Sequence, residues 1–173
     1  LAIARHSKKA ERAYGKVPKD KKGNMGLIHS RITWLRRKGY GEEALKLLRS
    51  VSGSDDALIY PAKWWTERRL VARGALGDGK TVKGAYAISA DHGLVKGAKY
   101  ADAEFLAGWI ALTRLKDPKL ALPHFQRLES AVKGPISKAR ANYWLARTYA
   151  VTDDPVAAQR HFVAALVTEW IAA

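Results

Sequence analysis

Eight residues of the chain, Gly74-Ala-Leu-Gly-Asp-Gly-Lys80-Thr81, read G-x-x-x-x-G-K-T, the spacing with which a glycine-rich loop and one lysine cradle a phosphate. That chemistry needs a buried hydrophobic strand before the loop, so that the backbone N–H groups of the following helix converge on the anion. The preceding residues, Trp64 to Arg73, are instead charged and helix-periodic, and no later apolar strand ends in a magnesium-binding aspartate. The stretch reads as a turn between two helices, and no nucleotide or other cofactor is expected.

The five histidines, His6, His29, His92, His124 and His161, fall in separate segments with no H-x-x-x-H pair, so no metal site is expected. His124 and His161 each precede a large aromatic residue, which fits partly exposed helix positions. Ser, His and Asp are all present without a G-x-S-x-G nucleophile turn, and three common residue types make no triad. Paired acids at Glu42-Glu43, Asp55-Asp56 and Asp153-Asp154 stand beside helix starts or turns, where capping accounts for them. No residue is assigned a catalytic role.

A set of arginines and aromatics remains: Trp64, Trp65, Arg68, Arg69 and Arg73 in one helical stretch, Trp109 in another, and Arg140, Tyr143, Trp144 and Arg147 in a third. Aromatic faces stack on sugar rings or bases, and guanidinium forks hold carboxylates or phosphates. Trp64, Arg68, Arg69, Trp109, Arg140, Tyr143 and Arg147 are therefore the candidate substrate-binding residues. Trp65 and Trp144 are expected to pack between helices, and arginines of such helices also pair with acids such as Glu67 and Glu104.

These residues need helices to hold them, and the chain repeats a helical pattern. Alanine anchors stand at 44, 85, 121 and 158, and three of them open similar stretches, Ala44-Leu-Lys-Leu-Leu48, Ala121-Leu-Pro-His-Phe125 and Ala158-Gln-Arg-His-Phe162. A period of roughly 34 to 45 residues marks stacked helix pairs, each burying its face against its neighbours. The fold expected is all-α, an α-solenoid or superhelix of TPR-like pairs with about eight helices. Their spans are 26–38, 42–51, 63–76, 81–90, 101–115, 119–132, 137–152 and 155–172. In the fourth pair Leu145, Ala146, Tyr149, Ala158, Phe162 and Ala165 follow the tetratricopeptide order; in the third, Gly108 lies one residue further from Ala121 than that order wants.

Charge adds a constraint. The net charge of +15 predicts a polyanion or an acidic surface as partner. From Leu1 to Asn24 eight basic residues face Glu11 and Asp20 in a stretch with little helical periodicity, so residues 1–24 are read as a basic connector or arm and 25–173 as the repeat domain. There is no cysteine, hence no disulfide framework or thiolate chemistry. No run of 18 apolar residues occurs and Leu1-Ala-Ile-Ala4 is too short for a signal-peptide core, so a soluble mature protein or fragment without a transmembrane segment is expected.

Three blocks in order also carry a family likeness. Trp64-Trp65-Thr-Glu67-Arg68-Arg69 with Ala85-Tyr86, then Tyr100-Ala-Asp-Ala-Glu104-Phe-Leu-Ala-Gly108-Trp109, then Pro135-Ile-Ser-Lys-Ala139-Arg140-Ala-Asn-Tyr143-Trp144-Leu-Ala-Arg147 resemble the superhelical domain of bacterial soluble lytic murein transglycosylases. The likeness runs from roughly Gly26 to Ala165. It implies a periplasmic location and a U- or ring-shaped solenoid around a peptidoglycan glycan path. In that family a separate lysozyme-like domain cuts the glycan and forms the 1,6-anhydro product. That domain's Glu-Ser motif has only a false echo at Glu129-Ser130, and Phe162 to Trp170 departs from the tyrosine-rich passage the family would have.

The first reading is thus a non-catalytic domain that binds or guides peptidoglycan. A stand-alone TPR-like module gripping an acidic protein partner in a concave groove is the alternative, and nucleic acid, favoured by charge alone, is not the expected partner. Sacculi incubated with the chain are expected to release no anhydro-muropeptides by chromatography; release that Glu129→Gln abolishes would refute this.

Overall fold

The computed structural model describes residues 9–54, 60–77, 79 and 81–170. Among them are nine α-helices and no strand: α1 (Ala10–Gly15), α2 (Met25–Arg37), α3 (Gly41–Arg49), α4 (Pro61–Ala75), α5 (Val82–Ala90), α6 (Ala98–Trp109), α7 (Pro118–Ala131), α8 (Pro135–Ala150) and α9 (Pro155–Trp170). The all-helical expectation holds, and α2 to α9 correspond to the eight expected helical spans. Four of them begin on proline, whose fixed φ suits a first turn and whose missing N–H costs nothing there. Asn24, Asp117 and Asp154 cap three starts, their side-chain oxygens accepting from the N–H groups of Leu27, Leu120 and Ala157 at 3.0–3.1 Å. Asp153, also expected to cap, instead turns the chain at φ 61°. Pro123 lies in the second turn of α7, on an exposed face, so the carbonyl it deprives of a partner, that of the exposed Lys119, is left to solvent.

The chain divides into two compact units, Leu1–Gly93 and Leu94–Ala173, where a single repeat domain from 25 to 173 was expected. In the first, α3 packs against α2, α4 and α5. Residues 10–24 are more than a connector: α1 buries Ala10, Glu11 pairs with Arg31 of α2, and the Arg31 guanidinium lies 4.5 Å from the Tyr14 ring centre. In the second, α6 packs on α7, α7 on α8 and α8 on α9.

The anchors behave as close-contact positions. Ala44, Ala85 and Ala121 are 0% exposed and Ala158 is 6% exposed. The spacing irregularity of the third pair also has a structural resolution. After α6 the chain makes a π turn, Ile110–Arg114, in which the Leu115 N–H donates to the Ile110 carbonyl five residues back, at 3.0 Å. One additional residue is thus taken up inside the helix. Gly108 still meets the anchor face of α7, so closely that a Cβ there would lie 2.9 Å from Phe125.

In the first unit two backbones touch. A Cβ on Gly93, whose φ is +67°, would fall 1.8 Å from the Gly53 carbonyl oxygen, and one on Gly53 would fall 2.4 Å from the Asp91 carbonyl oxygen. Gly97 has φ +89° but open space around it. Gly97→Ala should therefore cost about 1 kcal/mol of backbone strain alone, while Gly93→Ala should cost roughly 3 kcal/mol or more, since backbone must move as well. Urea denaturation of both variants checks the ordering.

Candidate functional site

The candidate residues of the first unit sit on α4, and the structure corrects the reading of one of them. Arg68 is only 1% exposed, so it faces no ligand. Its guanidinium donates to the carbonyls of Val51 at 2.6 Å and Ile88 at 3.3 Å, with Asp91 4.0 Å away. Burial lowers its pKa from the ordinary value, and Asp91 opposes that shift. A charge taken out of water must be paired and hydrogen-bonded, and here it ties the turn after α3 to the end of α5. Arg69, one position on, is half-buried and has interactions of its own.

Trp64 is 5% exposed and meets His29 of α2 edge to face, ring centres 5.1 Å apart. Its accessible edge lines a cleft of about 650 Å3 with Met25, His29, Tyr60 and Lys63. Trp65 is fully buried against His92, as expected of a packing residue. Between these elements Arg36 of α2 holds Glu67 of α4 with two bonds, 2.7 and 3.1 Å.

Three candidates of the second unit come together on one face of α8. Arg140, Tyr143 and Arg147 recur at three- and four-residue spacing, which stacks them along a helix side, and all three are exposed. The Arg140 guanidinium lies 5.1 Å from the Phe105 ring centre; that of Arg147 lies 5.9 Å from Tyr143 and 5.5 Å from Trp144. Trp144 supports them from below, stacked on Phe125 at 5.8 Å and edge-on to Phe105 at 6.1 Å. Neither Arg140 nor Arg147 has a carboxylate partner among the described residues. Arg147 also donates to the Tyr143 hydroxyl at 3.3 Å, and the Tyr143 ring meets Phe162 of α9 edge to face at 6.2 Å; two exposed guanidiniums over π faces can take carboxylates or phosphates, while the 41%-exposed Tyr143 offers part of its ring for stacking. Trp109, at the end of α6, is half-buried.

A second polar cluster lies inside the same unit. Glu104, 2% exposed, accepts from Arg127 at 2.7 and 3.0 Å and from His124 Nδ1 at 2.6 Å. Tyr100 joins it; burial and then the charge of Glu104 push its hydroxyl pKa up. His124 is thus a buried side chain, contrary to the partly exposed position expected, because Glu104 gives its ring a hydrogen bond inside the core. His161 does stay half-exposed, stacked on Tyr149 at 5.4 Å and bonded to Asn142 at 2.7 Å. The sequence held a signal for the cluster in Glu104 and in the His124-x-x-Arg127 spacing on α7. Only the packing of α6 on α7 joins them.

The remaining motifs resolve locally. Gly74 lies in the last turn of α4, Gly79 has φ +71°, and the Thr81 hydroxyl donates to the Ala75 carbonyl at 2.8 Å, an arrangement of two helix ends. Lys80 lies outside the described residues, as do His6, Asp55 and Asp56. Glu129 pairs with Lys138 at 2.7 Å. Among the described residues no three His, Asp or Glu side chains cluster as for a metal, and no helix is long and apolar enough to cross a membrane.

Comparison of the chain with protein-family models, curated proteins and solved structures gives no match.

The Glu67 carboxyl has a pH consequence. Burial alone raises its pKa, but the hydrogen bond and charge of Arg36, helped by Thr33 and His29, outweigh burial and hold it below the ordinary 4.5. A depressed folded-state pKa means that the stabilisation is present above pH 4.5 and is lost as pH falls through the lower folded value. The urea midpoint of the native protein should therefore drop more steeply between about pH 5 and about pH 3 than that of Glu67→Gln. Parallel pH profiles would show that the pair contributes nothing.

Proposed function

We propose that this chain is a non-catalytic helical-repeat domain of the soluble lytic murein transglycosylase kind, acting in the periplasm, which binds or guides peptidoglycan for a lysozyme-like domain not included in these residues. The observation that carries the reading is the exposed Arg140, Tyr143 and Arg147 face of α8, which falls in one of the three blocks that resemble that family. Its cations are not neutralised within the fold, unlike those of Arg36 and Arg127. The ring of Tyr143, with Trp144 beneath it, matches the flat faces of amino sugars, and the two guanidiniums match the carboxylates of a peptide-bearing glycan strand. The net charge of +15 draws such an anionic polymer to the surface.

Pelleting with purified sacculi tests this. Binding should have a salt-sensitive part, because exposed charges are screened over about 8 Å at physiological ionic strength, and a salt-resistant part from ring stacking. Arg140→Ala with Arg147→Ala should weaken the first about tenfold, which corresponds to roughly 0.7 kcal/mol from each exposed contact. Tyr143→Ala should remove most of the second. An excess of mixed-sequence oligonucleotide that strips the protein from sacculi completely would instead favour a nucleic-acid partner, whose binding falls steeply with salt. Retention by an acidic peptide and not by sacculi would favour the protein-interaction module.

A further inference from the structure

The glycan reading leaves Trp64 unused, and the cleft beside it in the first unit has a chemistry of its own. This cleft of about 650 Å3 lies between the first turns of α2 and α4, a size that suits a small molecule. Its walls are apolar: the edge of Trp64, the exposed Tyr60 ring, the Met25 thioether and the imidazole of His29, which meets Trp64 edge to face.

The polar groups at the cleft are mostly donors. The exposed Lys63 holds its ammonium 4.7 Å from the Tyr60 ring centre and has no carboxylate partner among the described residues. At the start of α2 the Asn24 side chain accepts from Leu27 and the Asn24 carbonyl from Ile28, which leaves the N–H groups of Met25 and Gly26 unpaired among the described residues. Helical side chains lean toward the helix N-terminus, so His29 lies over this same first turn. Its Nε2 is buried and makes no hydrogen bond within the fold, and a buried polar atom of that kind calls for a partner. Among the described residues no Asp or Glu lines the cleft, and the Asn24 oxygen, one of the few acceptors there, is already engaged. A sugar would leave hydroxyl donors unpaired in such a place. A flat apolar body ending in one oxyanion satisfies both the rings and the donors.

We infer that this cleft is a binding site for a small aromatic carboxylate, whose ring lies against Trp64, Tyr60 and Met25 and whose acid is held by Lys63, His29 and the first N–H groups of α2. The single lysine matches a single negative charge, which is why a carboxylate is named and not a dianionic phosphate. The inference stands apart from the glycan-binding proposal, since it concerns the other unit and a different ligand.

The probe is β-naphthoate, compared with its neutral analogue β-naphthylmethanol, titrated into the full chain by calorimetry and proton NMR. The acid should bind saturably with Kd below about 1 mM, at least about tenfold tighter than the alcohol, and should shift the Trp64 indole resonance. Lys63→Met should weaken the acid about tenfold and leave the alcohol within about twofold. Lys63 is exposed, so its substitution should leave the thermal melt unchanged. His29→Phe keeps a ring against Trp64 but removes the ring nitrogens, so it should weaken the acid without lowering the melt. Arg140→Ala with Arg147→Ala should leave the binding as it is. Absence of saturable binding, equal affinity for acid and alcohol, or affinity that Lys63→Met does not change overturns the inference. So does binding that the two arginine substitutions abolish, because the acid then sits on α8.

Discussion

Two α-helices can approach to backbone contact only where one of them presents almost no side chain, and the rest of this structure depends on four such places. Ala44, Ala85, Ala121 and Ala158 are each buried, and each lies on a helix packed against its neighbour. Close approach at an alanine brings the residue one turn later, on the same side, against the next helix to arrive. That is why Phe125 becomes the platform for Trp144, and why Trp144 in turn lies beside Tyr143 and beneath Arg147. A long side chain at an anchor would separate the helices and dismantle the layers above it.

Charge is distributed according to the same packing. Where a charge is buried, the fold supplies partners: backbone carbonyls for Arg68, Arg36 for Glu67, and Arg127 for Glu104. An unpaired charge in such a place would cost several kcal/mol, far more than a surface ion pair returns. On the outer side of α8 no such penalty applies, and the exposed Arg140 and Arg147 rest on aromatic rings, Arg147 also donating to the Tyr143 hydroxyl. Structural and candidate binding arginines are therefore distinguished by whether a buried partner, a carboxylate or a carbonyl, faces them, a property that residue type does not express.

The first unit shows how tightly the turns are constrained. Gly53 and Gly93 allow two backbone segments to touch, and Arg68 and Asp91 bridge the same place with bonds to Val51, Ile88 and Gly53. A glycine in a turn looks replaceable when the sequence is read alone. Here the space for a side chain is already occupied by carbonyl and amide groups from a segment about forty residues away.

Much of the helical layout was legible in the sequence, because helix formation depends on residues three and four apart and on caps adjacent in the chain. The eight spans, the Asp154 cap, the small anchors and the packing role of Trp65 and Trp144 were all readable in this way. The Arg140, Tyr143 and Arg147 face was readable too, since a single helix determines it. The helix of residues 10–15 was missed because its stability comes from Arg31 and a buried Ala10 and hardly from its own periodicity. What only tertiary structure decided was the environment of each polar group. Arg68 became core through carbonyls 17 and 20 residues away, and His124 was buried because Glu104 lies opposite it on another helix. The π turn that lets Gly108 keep its place against α7 likewise answers to packing. Short-range spacing writes helices into a chain, but burial and pairing depend on groups that meet only after the helices have closed on one another.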